Sequence, residues 1–270
     1  MIILNHSGLQ TIIKPTIFPD GTQQVWKLEL LKSNNCNIVW KYENDGELIT
    51  LAQLIDLLKN EGIQITGIFI PFLPYARQDK LISNTTTFGL NTFCRMLNQI
   101  TGNINVYSLD IHNNAYGSVE NIEPTEYILK AIIESEASRI CFPDKGAFRR
   151  YHSVVPDNKG IITLNKMRNQ ETGEIVEMSL ISNDKALING GVLIVDDICD
   201  GGATFINTVK SLRSNSIFQG CNIDLYTTHG IYSKGINNLI DNGINKLYTT
   251  DSFCKLEENK RLKIFQTRFK

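Results

Sequence analysis

The feature that most constrains what this chain can fold into is a repeated alternation of short apolar runs with segments of helical spacing. Leu48, Leu51, Leu54, Ile55 and Leu58 recur at helical intervals and predict an amphipathic helix ending near Gly62. The run ITGIFIPF after it predicts a buried strand, residues 88–100 a second helix, and INVYSLD at 104–110 another strand. The logic then restarts with a helix over about 124–136, the strand RICF and the loop PDKGA. Strands near 160–165 and 175–182 flank the polar hairpin KMRNQETGE, and GVLIVDD runs into a helix over about 203–213. NIDLYTTHG and INKLYTTD close the series as strands with a helix between them. Residues 11–30 read differently, as a β-hairpin turning at Pro19-Asp20-Gly21. Strands alternating with helices imply mainly parallel sheets, so the expected fold is α/β in two halves, 1–124 and 125–270. Ligands of such sheets bind beyond the carboxyl ends of the strands, where the polar loops after residues 72, 110, 142 and 195 fall.

Composition removes several function classes. With 270 residues and a formal net charge of -1, the chain is long enough for two halves and too weakly charged for bulk nucleic-acid binding. No apolar run approaches the roughly 18 residues of a membrane span, and MIILNHSGLQ lacks the basic and long apolar regions of a secretory signal. Six cysteines are scattered without a CxxC pair, which suits buried thiols in a reducing, cytoplasmic setting better than zinc or disulfides.

The chemistry is concentrated in a few loops. In VLIVDDICDGGAT at 192–204 an apolar strand delivers Asp196 and Asp197, then Asp200, Gly201, Gly202, Ala203 and Thr204 open a helix. Small residues let backbone N–H groups converge on an oxyanion at a helix N-terminus, while the paired carboxylates suit ribose hydroxyls or a metal. The bland counterpart is a strand–turn–helix junction with acidic caps. In IPFLPYARQDK at 70–80, Arg77 offers a planar fork for phosphate or stacking on adenine, and Gln78 can bond an adenine edge. SLDIH at 108–112 ends a strand with a histidine, which on its own is compatible with a purely structural role. Lys166 and Arg168 place two cations on the polar hairpin.

In this order, these segments resemble those of the ribose-phosphate diphosphokinase (PRPP synthetase) family, over about residues 15–253. The resemblance implies two phosphoribosyltransferase-like, Rossmann-type halves. It also implies Mg²⁺-dependent transfer of a diphosphoryl group from ATP to the 1-hydroxyl of a ribose 5-phosphate compound. By resemblance, Phe18, Asp20, Arg77, Gln78, Asp79 and His112 would bind ATP, and Asp196, Asp197, Asp200, Gly201, Gly202, Ala203 and Thr204 the ribose phosphate. Lys166, Arg168, Arg77 and His112 would be catalytic, and His112, Asp144 and Asp110 would hold or support the metal. FPDGT at 18–22 resembles a hairpin that reaches a neighbouring subunit's ATP site, which implies a homo-oligomer from dimer to hexamer. THG at 228–230 places His229 along the site.

The departures are informative. The family's loop usually reads Asp-Thr-x-Gly-Thr, whereas Gly201 follows Asp200 here, so one hydroxyl donor and its volume are missing. That makes room for a phosphodiester, so ADP-ribose stands beside ribose 5-phosphate as an acceptor, as in divergent members resembling ADP-ribose pyrophosphate synthetases of NAD⁺ salvage. Thr22 stands where an acidic residue or its amide is usual. Two other classes share part of the pattern. A phosphoribosyltransferase would carry the 192–204 loop without YARQDK, and a non-catalytic regulatory partner would have lost Arg77, His112, Lys166 or Arg168.

Overall fold

The computed structural model describes residues 1–26, 34–81, 83, 85–113, 118–168, 175–182, 190–253 and 255–269, the stretches 165–168 and 175–182 by backbone alone. The chain divides into two compact units, Met1–Glu123 joined by Arg268 and Phe269, and Pro124–Thr267.

In the first unit, strands β1 (Ile2–His6) and β2 (Leu9–Ile13) are joined by Ser7 and Gly8, both at positive φ. Such a two-residue turn matches the right-handed twist of its strands. The expected hairpin over 11–30 is therefore redrawn. Residues 11–13 pair with β1, and only the short strands β3 (Thr16–Ile17) and β4 (Gln23–Gln24) flank the turn at Gly21. Residues 27–30 lie outside the described residues. Strand β5 (Asn35–Trp40) precedes helix α1 (Glu47–Asn60), which buries Leu48, Leu51, Leu54, Ile55 and Leu58, the stripe that its sequence spacing predicts. Strand β6 (Gln64–Ile70), helix α2 (Gly89–Thr101), strand β7 (Val106–Leu109) and strand β8 (Glu120–Ile122) complete a sheet of order β2-β1-β5-β6-β7-β8. From β5 to β8 every pairing is parallel, and the last four residues of β6 are buried, as in a strand covered on both faces.

The second unit begins with helix α3 (Thr125–Ser135) and strand β9 (Arg139–Phe142). A helix expected as a loop follows: α4 (Lys145–Tyr151), started by Asp144, whose carboxylate accepts the N–H groups of Gly146 and Ala147 at 2.8 and 3.0 Å. Strands β10 (Gly160–Arg168) and β11 (Ile175–Ser182) form an antiparallel pair. Strand β12 (Val192–Cys199) leads into helix α5 (Ala203–Arg213). Strand β13 (Ile223–Gly230), the short helix α6 (Asn237–Ile240), β14 (Leu247–Thr250) and β15 (Leu262–Phe265) follow. The sheet order is β11-β10-β9-β12-β13-β14-β15, parallel except at β10–β11. From β9 the chain steps to β10 on one side, then crosses to β12 on the other. That reversal makes the carboxyl ends of β9 and β12 the crevice at which ligands of open α/β sheets bind. Both units thus have the expected α/β architecture with mainly parallel sheets. None of the helices described is long and apolar enough to cross a membrane.

Candidate active site

Around the switch point of the second unit, Asp144 follows β9, and Asp196 and Asp197 lie inside β12, which continues two residues beyond them. Successive strand residues face opposite sides, so the two carboxylates have different partners. Asp197, 4% exposed, accepts a 2.8 Å bond from Arg150 of α4, which neutralises it. Asp196 accepts the N–H of Asp197 at 3.0 Å. Burial first, then the negative fields of Asp197 and Asp144, push the Asp196 carboxyl well above the usual carboxylate range. A divalent cation or ribose hydroxyls at this place would relieve that repulsion.

Beyond Cys199 the chain turns into α5. Gly202 sits at φ +81° as its N-cap, and an added Cβ would lie 2.7 Å from Leu239 Cδ2, so only glycine fits. Gly201 has no such constraint: an added Cβ would meet Lys234 Cε at an ordinary 3.5 Å. Asp200 accepts a 2.5 Å bond from the Ser233 hydroxyl, and Asn238 donates to the Gly201 carbonyl at 3.2 Å. Exposed Ala203 and half-buried Thr204 occupy the first turn of α5, where helix N–H groups lack intrahelical acceptors. Lys166 and Arg168, expected on the loop of a hairpin, have their backbones in β10, with the pairing shifting register between Met167 and Arg168. Their side chains lie outside the described residues. His229, expected along the site, is buried, with Nδ1 2.8 Å from Ser252 Oγ.

In the first unit the loop after β6 is held by Tyr75, whose φ of +63° is unusual for a bulky residue. The hydroxyls of Tyr75 and Tyr42 both donate to Asp45 Oδ1 at 2.7 Å, and the Tyr75 ring packs 5.5 Å from that of Phe93. Those two bonds, Tyr75's the larger, hold the Asp45 carboxyl below its ordinary range. Arg77 and Gln78 are exposed. The Gln78 N–H donates to the Tyr75 carbonyl at 2.8 Å, and its side-chain oxygen lies where any Cβ on Gly89 would come within 2.3 Å. Asp79 accepts a bond of 3.2 Å from Asn113, which ties this loop to the segment after β7. In that segment Asp110 is buried at φ +49°, its N–H bonded to the Ile122 carbonyl, while His112 is exposed. On the hairpin, Phe18 is partly exposed, and the Asp20 carboxylate accepts both the hydroxyl and the N–H of Thr22, at 2.7 and 3.0 Å. Thr22 thus serves the turn itself, and its bonds lower the Asp20 pKa.

The structure brings Asp144, Asp196 and Asp197 together with the Asp200–Thr204 loop in the second unit. In the first it ties the loop of Arg77, Gln78 and Asp79 to the segment that carries His112 through the bond from Asn113 to Asp79. Among the described residues no three His, Cys, Asp or Glu side chains form a metal cage. A magnesium ion asks for less, since it is commonly held by one or two carboxylates plus substrate phosphates, and the Asp144–Asp196 pair fits that requirement. Sequence reasoning missed Asp45, Arg150, Ser233 and Lys234. The acidic N-cap followed by basic Arg149 and Arg150 could have exposed α4; nothing local announces the other three.

Comparison with known proteins agrees with the motifs, although no family model matches the chain. The ribose-phosphate pyrophosphokinase of Pyrococcus abyssi is 29% identical over 245 residues, covering 87% of this chain and 82% of that protein. Its namesake from Mycoplasmopsis pulmonis is 26% identical over 263 residues, 93% of this chain and 79% of the relative. That of Bacillus subtilis is 24% identical over 264 residues, 93% and 80%. The crystal structure of phosphoribosylpyrophosphate synthetase from Mycobacterium smegmatis matches with a TM-score of 0.71 at 18% identity, over 95% of this chain and 86% of that one. The fold is shared, and the resemblance read from the motifs extends over most of the chain.

Proposed function

We propose that the protein is a diphosphokinase that transfers the β,γ-diphosphoryl group of ATP to the anomeric 1-hydroxyl of a ribose 5-phosphate unit, giving a 1-diphosphate and AMP. The observation that carries this reading is the presence, in one chain, of two loops at the carboxyl ends of parallel sheets. One is the Tyr75-anchored loop bearing Arg77, Gln78 and Asp79; the other is the Asp196–Thr204 segment at a switch point. The similarity to ribose-phosphate pyrophosphokinases over most of the chain supports it.

In this reading Arg77 and His112 take phosphate oxygens of ATP, and Gln78 faces the base. An imidazole is a softer ligand than magnesium prefers, so His112 suits a phosphate better than the metal, with Asp110 behind it. Asp196 accepts the ribose hydroxyls, Asp197 is held by Arg150, and the N–H groups at the start of α5 receive the 5-phosphate. The acceptor oxygen attacks the β-phosphorus, the bond from that phosphorus to the α,β-bridging oxygen breaks, and AMP leaves with that oxygen. The hydroxyl proton passes to water, since phosphoryl transfer depends mainly on position and charge and needs no strong base. Lys166 and Arg168 stabilise charge moving to AMP. Mg²⁺ would be held by Asp144 and the substrates, and would supply neutralisation of the phosphate charge.

The acceptor is ribose 5-phosphate itself or the ribose 5-phosphate end of ADP-ribose, and the side chain that Gly201 lacks is what favours the second. Exposed Ile12, Ile17, Phe18 and Trp26 around the N-terminal hairpins support self-association; the proposed assembly is a homo-oligomer, dimer to hexamer, and the proposed setting the cytoplasm. Chromatography of the nucleotides formed from ATP, Mg²⁺ and either acceptor tests the reaction. AMP dependent on acceptor is expected, and ADP would point to an ordinary kinase.

A further inference from the structure

The loop that opens α5 carries no cation of its own. Between Asp200 and Thr204 it has one carboxylate, two glycines, an alanine and one hydroxyl, and the carboxylate accepts from Ser233. A phosphate there would meet N–H groups and little positive charge.

A second segment is fastened onto this loop. The N–H groups of Ile231 and Tyr232 both donate to the Cys199 carbonyl, at 2.9 and 3.1 Å. Tyr232 and Gly235 take positive φ, and the Gly235 N–H closes the turn on the Tyr232 carbonyl at 2.8 Å. Ser233 bonds Asp200, Asn238 bonds the Gly201 carbonyl, and Leu239 fills the space beside Gly202. Lys234 lies at the tip of this pinned turn. Its Cγ, Cδ and Cε would stand 3.8, 3.6 and 3.5 Å from a Cβ on Gly201, so the stem runs alongside the loop where a side chain would project. The ammonium is one bond beyond Cε, and Lys234 as a whole is exposed.

We propose that Lys234 is a specificity-determining residue that binds the 5-phosphate of the acceptor, with its ammonium replacing the side-chain donor that Gly201 lacks. The inference rests on the reading of the 200–204 loop as the acceptor's phosphate site. An ammonium on a bound turn is a point charge that can follow a phosphate monoester or the first phosphate of a diphosphate, so it serves either acceptor. A larger side chain at position 201 would compete with it for the same space.

Calorimetric titration of the full chain with ribose 5-phosphate and with ADP-ribose, without nucleotide, tests this in wild type, Lys234→Ala and Lys234→Arg. Lys234→Ala is expected to weaken binding of the acceptor by about ten- to a hundredfold, as loss of a charge-assisted bond does. Lys234→Arg keeps most of the affinity, and ATP binding stays as in wild type. In turnover the alanine variant raises KM for the acceptor and leaves kcat and KM for ATP near wild type. Unchanged acceptor binding in Lys234→Ala, an equal loss for ATP, or a wild type that binds neither acceptor would overturn the assignment. A wild type that binds acceptor through Lys234 but releases no AMP would refute the transfer reaction and leave the lysine in place.

Discussion

The two loop systems reach a similar end by different physical means. In the second unit the groups are set by packing: Asp197 is buried against Arg150, Gly202 is fixed by its φ and by Leu239, and Asp200 is held by Ser233. In the first unit Arg77, Gln78 and His112 are exposed, and their loops are shaped by Tyr75 and Asp110, held at positive φ. Strain of this kind persists only where surrounding contacts over-determine it, and here Asp45 and Phe93 do so for Tyr75. The difference teaches that the loop proposed to take the acceptor is preorganised by the fold, whereas the loop proposed to take the nucleotide depends on a few hydrogen bonds beneath an exposed surface.

The largest expected effect falls on transition-state charge. Lys166→Ala or Arg168→Ala should lower kcat by roughly 10²–10³-fold with little change in either KM, measured by steady-state AMP release. Near-normal kcat would return those residues to a plain charged strand end.

Next comes the contrast between adjacent glycines. Gly202→Ala should weaken acceptor binding by about tenfold or more and lower Tm, since a left-handed residue and a 2.7 Å contact must both give way. Gly201→Thr should fold normally and shift kcat/KM towards ribose 5-phosphate over ADP-ribose by about tenfold. Equal behaviour of the two variants would erase the preorganised half of the comparison.

On the other side, Tyr75→Phe and Asp45→Asn should each raise KM for ATP by about five- to tenfold, the worth of about 1 kcal/mol, and leave acceptor KM alone. A matching loss for the acceptor would mean that these bonds support the whole protein.

The smallest effect concerns charge at Asp196. Its folded pKa is raised, so the folded chain holds the proton more tightly than the unfolded one. The associated stability is fully present below the ordinary carboxylate value of about 4 and is lost as pH rises through the raised pKa. Asp196→Asn removes that loss, so its Tm advantage over wild type should grow as pH rises above about 4. Mg²⁺ should narrow the gap by stabilising wild type alone. A gap independent of pH would show that Asp196 ionises without hindrance.

Much of this was legible in the sequence because it depends on local pattern. Helix α1 announces itself by Leu48, Leu51, Leu54 and Leu58, and the 192–204 segment by an apolar run that ends in acids and glycines. What escaped depends on contacts remote in the chain. Strand β1 is paired through a Ser-Gly turn that a one-dimensional reading gives to neither strand. Helix α4 hid in a motif, PDKGA, that looked like a loop because its Asp was read for chemistry and not as a cap. Arg150 meets Asp197 across 47 residues, Asp45 meets Tyr75 across 30, and Ser233 meets Asp200 across 33, separations at which spacing carries no signal.

The most direct test of the central claim is phosphorus NMR of the complete reaction, with ATP, Mg²⁺ and each acceptor in turn. The account predicts AMP growing in step with a new diphosphate on the anomeric carbon of ribose 5-phosphate or ADP-ribose, with no ADP. ADP with a singly phosphorylated acceptor, or ATP left intact beside both acceptors, would contradict it.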